Sequence, residues 1–210
     1  MHISEGILSA PVLTAGYVGA GLLAAATMRG MDMEEVPKLS VITSVFFVTS
    51  LIKFPIGPSS VHLILNGLAG VVLGWRAFPA ILLGVILQAI IFGHGGVTVI
   101  GVNSVMLGGG ALVAYGVWQL RHYFSFARKE FAFGALAGGI ATISSGLVLS
   151  AALLTTGEAF FAVAGAVLAA HIPIMIVEGF VVGACAEFLN RVKPDILAGQ
   201  KRAKPQVTAT

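Results

Sequence analysis

Charge is scarce in this chain and cysteine scarcer still. Only 10% of the 210 residues are charged, nine of them acidic, where a soluble domain carries about 25%. With 57% hydrophobic residues and a mean hydropathy of +0.97, an ordinary soluble fold is excluded and an integral membrane protein is expected. The single cysteine, Cys185, rules out an intrachain disulfide or a thiolate metal cluster and reads as a small packed residue. No Lys or Arg precedes Arg29, so the positive n-region of a secretory signal is missing. The N-terminus is read as mature, with Met1 retained because His2 is too large to permit its removal. HExxH, GxxxxGK[ST] and GxSxG are all absent, which leaves a zinc-protease helix, P-loop ATP hydrolysis and a nucleophile elbow without support. Strand alternation is lacking too, against a β-barrel. The net charge of +3 is a matter of membrane topology, as shown next, and does not imply nucleic-acid binding.

Glycine is abundant, at 27 residues, as suits membrane helices whose backbones approach closely. Seven apolar blocks read as helices, because a segment in lipid must satisfy its own backbone. They are Ile7–Met28, Ser40–Phe54, Ser60–Trp75, Phe78–Phe92, Val99–Leu120, Phe131–Thr155 and Phe160–Leu189. Blocks two to four fall short of the roughly 20 residues of an upright span, and the last exceeds it, with Pro173 placed to kink it. The segments between blocks differ sharply in charge. Arg29, Lys38, Arg76, Arg121, Arg128, Lys129, Arg191, Lys193, Lys201, Arg202 and Lys204 share one side, and Lys53 stands alone on the other. The positive-inside rule then sets the N-terminus outside and the C-terminus in the cytoplasm. The expected architecture is an all-α integral membrane bundle of about seven helices over residues 1–190, followed by a basic cytoplasmic tail at 191–210.

This topology gathers His2, His62 and the His94 loop on the outer side. Met1-His2 is a ready-made chelator: the α-amine, the deprotonated His2 amide and the His2 imidazole can wrap a divalent ion in fused five- and six-membered rings. One more nitrogen closes a square, which copper(II) and nickel(II) favour. His62, presented at the start of helix three after Pro55, Gly57 and Pro58, is the candidate fourth ligand. His94, Asn103, Ser59 and Ser60 are candidates for orienting the imidazoles by hydrogen bonds. Bland alternatives exist for each histidine: a terminal residue left in solvent for His2, a helix cap for His62, a plain loop residue for His94. His171 and Glu178, two helical turns apart, share a face of the last helix; an intramembrane pair of this kind is structural or functional, and both readings stay open. Gly70–Gly74, Gly134–Gly138 and Gly179–Gly183 fit GxxxG helix contacts, within the bundle or with a partner.

Met1-His2-Ile3-Ser4-Glu5-Gly6 resembles the MHIxxG start of the CbiM/NikM family, the substrate-capturing membrane components (S components) of energy-coupling-factor nickel and cobalt transporters. Further blocks agree: Ser60-Val61-His62-Leu63 with Asn66-Gly67-Leu68, then Gln88 with Phe92-Gly93-His94-Gly95-Gly96 and Gly101-Val102-Asn103. So do His171-Ile172-Pro173 with Glu178-Gly179, and Val192-Lys193-Pro194-Asp195-Ile196-Leu197. The resemblance implies a seven-helix bundle in a bacterial or archaeal cytoplasmic membrane, with the N-terminus folded inward. It implies metal ligands from Met1 (amine), His2 (amide and imidazole) and His62. It also implies a transmembrane coupling protein and two cytoplasmic ATPase subunits as partners, with a small accessory membrane subunit left open. The chain lacks the extra fused helices of that subunit which some relatives carry. Ni(II) is the expected cargo, with Co(II) also bound, and no enzyme activity is expected. The alternatives are a cobalt-specific uptake component serving cobalamin synthesis and a membrane-embedded metalloenzyme built on the outer histidines.

Overall fold

The structure, a computed structural model, describes residues 2–51, 53–56 and 59–200, and gives the backbone alone for 53–56 and 59–62. Seven α-helices form among the described residues: α1 Ala10–Met28, α2 Val36–Thr49, α3 Asn66–Leu73, α4 Ala77–Phe92, α5 Ile100–Gln119, α6 Lys129–Leu154 and α7 Phe161–Val192. Proline sits in the first turn of α1 and α2, where its missing N–H is harmless. Five stretches are long and apolar enough to cross a bilayer: Ala10–Met28, Asn66–Phe92, Ile100–Tyr123, Lys129–Leu154 and Glu158–Val192. The chain is therefore a multi-pass membrane protein. At 14 residues α2 is short for a span, and α3, with eight, rises only about 12 Å.

One sequence expectation fails. Helices were expected to reach Phe54 and to restart at Ser60, with His62 at the start of a helix. Instead β1 (Lys53–Ile56) and β2 (Ser59–His62) pair as an antiparallel hairpin, Lys53 opposite His62 and Ile56 opposite Ser59. His62 thus lies in a strand, four residues before α3. Proline explains the difference: Pro55 and Pro58 each push the preceding residue out of the helical region, and neither donates a backbone hydrogen bond. Residues 57 and 58, between the strands, lie outside the described residues.

Helix α5 runs through the middle, touching α1, α3, α4 and α6, and every residue of α3 is buried. The α6 and α7 glycine motifs face each other. A methyl group on Gly134 would come within 2.7 Å of the Ala186 Cβ, and one on Gly183 within 2.7 Å of the Phe131 carbonyl. The backbones touch there, so of the two partners left open for these motifs the bundle itself is the answer. Gly70 abuts the α5 backbone at the Ala111 carbonyl in the same manner.

Two ends of the bundle are distinguished by their polar groups. At one, the N-terminal arm meets the start of α5. At the other, some 22 Å along α5 by its rise per residue, Trp118 and Arg121 hold the C-terminal segment, and Arg76 pairs with Glu35 at 2.6 Å and donates to the Gly30 carbonyl at 2.8 Å. Part of the expected tail therefore packs on the bundle, with Leu197 buried.

Candidate metal site

The N-terminal arm is held as an extra strand would be. Asn103, buried in the first turn of α5, accepts from the Ile3 N–H at 2.9 Å and donates through Nδ2 to the Ile3 carbonyl at 3.1 Å. Two residues on, the Glu5 N–H donates to the Gly95 carbonyl at 2.9 Å, and the Glu5 carboxylate accepts from the Thr98 N–H at 2.8 Å. That bond holds the Glu5 carboxyl below its ordinary pKa although the side chain is exposed. Ile3 itself is buried, an apolar anchor beneath the polar ladder.

The receiving loop is shaped by glycine. Gly93, Gly95 and Gly96 all have positive φ, a conformation that other residues adopt at a cost. A Cβ on Gly95 would lie 2.6 Å from the Asn103 Nδ2 and 3.0 Å from the Ile3 carbonyl, and one on Gly96 would collide with the Glu5 side chain. The Gly93-His94-Gly95-Gly96 run thus lets the arm lie flush against the loop. His94 is carried beside the arm: its ring centroid is 5.8 Å from that of His2 and 5.7 Å from that of Phe92.

His2 itself is oriented by Gln88, a fully buried residue of α4. The His2 Nε2 lies 2.9 Å from the Gln88 Oε1. In the tautomer that donates from Nε2 to this oxygen, Nδ1 is the ring's lone-pair nitrogen. Gln88 entered the sequence reading only within a family block. A polar side chain inside Leu82–Phe92, one of the most apolar stretches of the chain, was the signal that could have singled it out.

The structure brings His2, His94 and Asn103 together at one end of the bundle. Met1 lies outside the described residues, and Ser59, Ser60 and His62 are described by backbone alone. Among the described residues, no three His, Cys, Asp or Glu side chains converge on one point. A chelate of the kind expected would need only two side chains, with the remaining nitrogens from the main chain. A cavity of about 700 Å³ is at the other end, lined by Arg29, Lys38 and Arg76 together with Glu35 and Asp195. His171 and Glu178 are both buried in α7. His171 packs on Gly146 with Nδ1 at 2.6 Å from the Val167 carbonyl, while Glu178 reaches the start of α3.

Residues 2–196 match the family described as the cobalt uptake substrate-specific transmembrane region, CbiM. The chain belongs to that family. A Haemophilus influenzae protein named for metal transport is 35% identical to this CbiM-family chain over 94% of its length and 97% of the relative's. The fused nickel transport protein NikMN of Rhodobacter capsulatus is 29% identical over the whole chain, which spans 64% of that longer relative. The cobalt transport protein CbiM of Sorangium cellulosum is 27% identical, with 94% of each covered. A solved transition metal transporter shares the fold, with a TM-score of 0.73 at 24% identity over 91% of this chain and 93% of that one. The chain is thus a membrane component of the cobalt and nickel uptake family, and these named relatives are transport proteins.

Proposed function

We propose that this protein is the substrate-capture subunit of an energy-coupling-factor importer, and that it takes nickel(II) in a square-planar set of four nitrogens. The donors are the Met1 amine, the His2 amide, the His2 imidazole and His62. The observation that carries the reading is the way the arm is held. With Nε2 engaged by Gln88, the His2 Nδ1 closes a six-membered ring with the residue's own amide nitrogen, and the amine closes a five-membered ring on the other side. The next amide along, that of Ile3, is committed to Asn103. It is therefore withheld from the metal, and the fourth nitrogen has to come from outside the arm.

An ionised amide among four nitrogens gives a strong in-plane field, from which d⁸ nickel(II) gains most and cobalt(II) less. Cobalt binds too, more weakly. Binding releases the amide and amine protons, so affinity falls steeply with acid. The basic ends of the helices support a C-terminus in the cytoplasm and an N-terminus outside. The lack of a P-loop supports ATP hydrolysis by two partner subunits, reached through a transmembrane coupling protein.

The test is equilibrium nickel and cobalt binding to the purified protein beside a copy acetylated at the N-terminal amine. Binding by the parent and its loss in the acetylated copy support the terminal chelate. Equal binding by both moves the metal to the internal histidines and revives the metalloenzyme alternative.

A further inference from the structure

Glu178 is the one carboxylate wholly buried among the described residues, and it does not serve its own helix. From α7 its Oε1 accepts from the backbone N–H of Ile64 and, at 3.0 Å, from that of Leu65, while Oε2 accepts from Leu65 at 3.0 Å. These two amides are the link between His62, at the end of β2, and Asn66, at the start of α3. The link is strained, since Leu65 has φ +53°, a left-handed conformation unfavourable to a leucine.

Glycine makes the reach possible. A methyl on Gly67 would lie 2.6 Å from the Gly138 Cα, and one on Gly138 would lie 2.8 Å from the Glu178 carbonyl. The first turn of α3 thus packs directly on the α6 backbone, and α6 on the α7 backbone and Val182. Asn66 secures the same turn by donating to the Leu107 carbonyl and the Ser145 hydroxyl, each at 3.0 Å. Asn66 fixes the helix, and Glu178 holds the amides of Ile64 and Leu65, two of the three residues that join the helix to His62.

We infer that Glu178 is a positioning residue for metal capture, setting where the His62 strand is delivered relative to the N-terminal arm. A carboxylate serving merely as an N-terminal cap would satisfy orphan N–H groups of α3, whereas Glu178 holds the joint in front of the helix and thereby the strand. The inference rests on His62 being a ligand, as proposed above.

The experiment compares metal binding by the parent, Glu178→Ala, Glu178→Gln, His62→Ala and the Glu178→Ala/His62→Ala pair. Copper(II) is the probe beside nickel(II), because its greater affinity keeps the three-nitrogen chelate measurable without His62. Glu178→Ala is expected to weaken binding about 10–100-fold, the usual effect of losing an orienting partner, with a smaller loss for Glu178→Gln, which keeps one acceptor oxygen. The loss is expected to vanish in the His62→Ala background. Unchanged binding in Glu178→Ala, or an equal loss with and without His62, overturns the positioning role. If Glu178→Ala does not fold, hydrogen exchange at the Ile64 and Leu65 amides of the unmodified protein decides. Protection that deepens when nickel binds supports the inference, and protection indifferent to nickel overturns it. An acetylated parent that still binds nickel sinks the terminal chelate itself, whatever Glu178→Ala does; loss on acetylation with none in Glu178→Ala sinks the positioning role alone.

Discussion

The two terminal segments of the chain are both pinned to the bundle through their main chain, with opposite chemistry. At the N-terminal end a neutral amide, Asn103, reads both the N–H and the carbonyl of Ile3, and a second neutral amide, Gln88, holds the His2 ring. At the C-terminal end the Ala198 carbonyl accepts from the Trp118 indole at 3.1 Å and the Arg121 guanidinium at 3.0 Å, and the Ala198 N–H donates to the Val71 carbonyl at 2.9 Å. Arg121 is buried with its guanidinium 3.9 Å above the Trp118 ring, a desolvated cation on an aromatic face. Amides orient a peptide without adding charge, and a site that is to receive a divalent cation gains from that neutrality. The far end has no such constraint and uses arginine, which gives the stronger hydrogen bond. On the function proposed above, one end is arranged around a metal and the other around the integrity of the bundle.

Removing ligand nitrogens should break the comparison most severely. His2→Ala or His62→Ala is expected to abolish high-affinity nickel binding, a loss beyond the roughly 100-fold limit of orienting partners, while thermal unfolding in detergent stays near that of the parent. An alanine inserted between Met1 and His2 adds an amide nitrogen and a second five-membered ring, so that the arm alone can close the square; nickel is expected to be held without His62 and its uptake to fail. Nickel uptake at the parental rate by that insertion variant would falsify the terminal chelate.

Next in size are the residues that hold the two termini, and here the two ends should separate. Asn103→Ala is expected to weaken nickel binding about 10–100-fold, since Ile3 loses both partners and its amide is released to compete for the metal. Arg121→Met should leave nickel affinity unchanged and lower the stability of the bundle, each charge-assisted hydrogen bond contributing about 1.5–3 kcal/mol. Titration and thermal unfolding of both variants provide the check. A loss of nickel affinity in Arg121→Met would show that the ends are coupled and undo the contrast.

Much of this division could be read from the chain. The histidines of the loops, the uneven cations and the glycine motifs follow from residue type and spacing, while the pairing of the α6 and α7 motifs with each other is seen only in the packed bundle. The hairpin around His62 was misread because the apolar residues Leu63, Ile64 and Leu65 follow it directly, and hydropathy alone joins them to the helix they precede. The two prolines held the contrary signal. Gln88 escaped because its partner is 86 residues away, and Glu178 was singled out beside His171 without its partners, which are amides more than 110 residues earlier. Local pattern shows that a buried polar residue needs a partner; only the packed bundle shows which one.

The smallest effect expected is at the outermost contact of the arm. Glu5 is exposed and its carboxyl is held below the ordinary value by the Thr98 N–H. A depressed folded pKa means that the clasp contributes fully above the ordinary glutamate range and is lost as pH falls through the lowered folded value. The Thr98 amide should therefore be protected, relative to its intrinsic exchange rate, at neutral pH and lose that protection in strong acid, and Glu5→Gln should be less protected at neutral pH than the parent is. Nickel affinity in Glu5→Gln should fall by less than the 10-fold lower bound set by orienting partners, because Asn103 still fixes Ile3 between the clasp and the chelate. A loss in Glu5→Gln as large as that of Asn103→Ala would mean that the arm is fastened at its exposed end, and would move the decisive contact away from the amide pair.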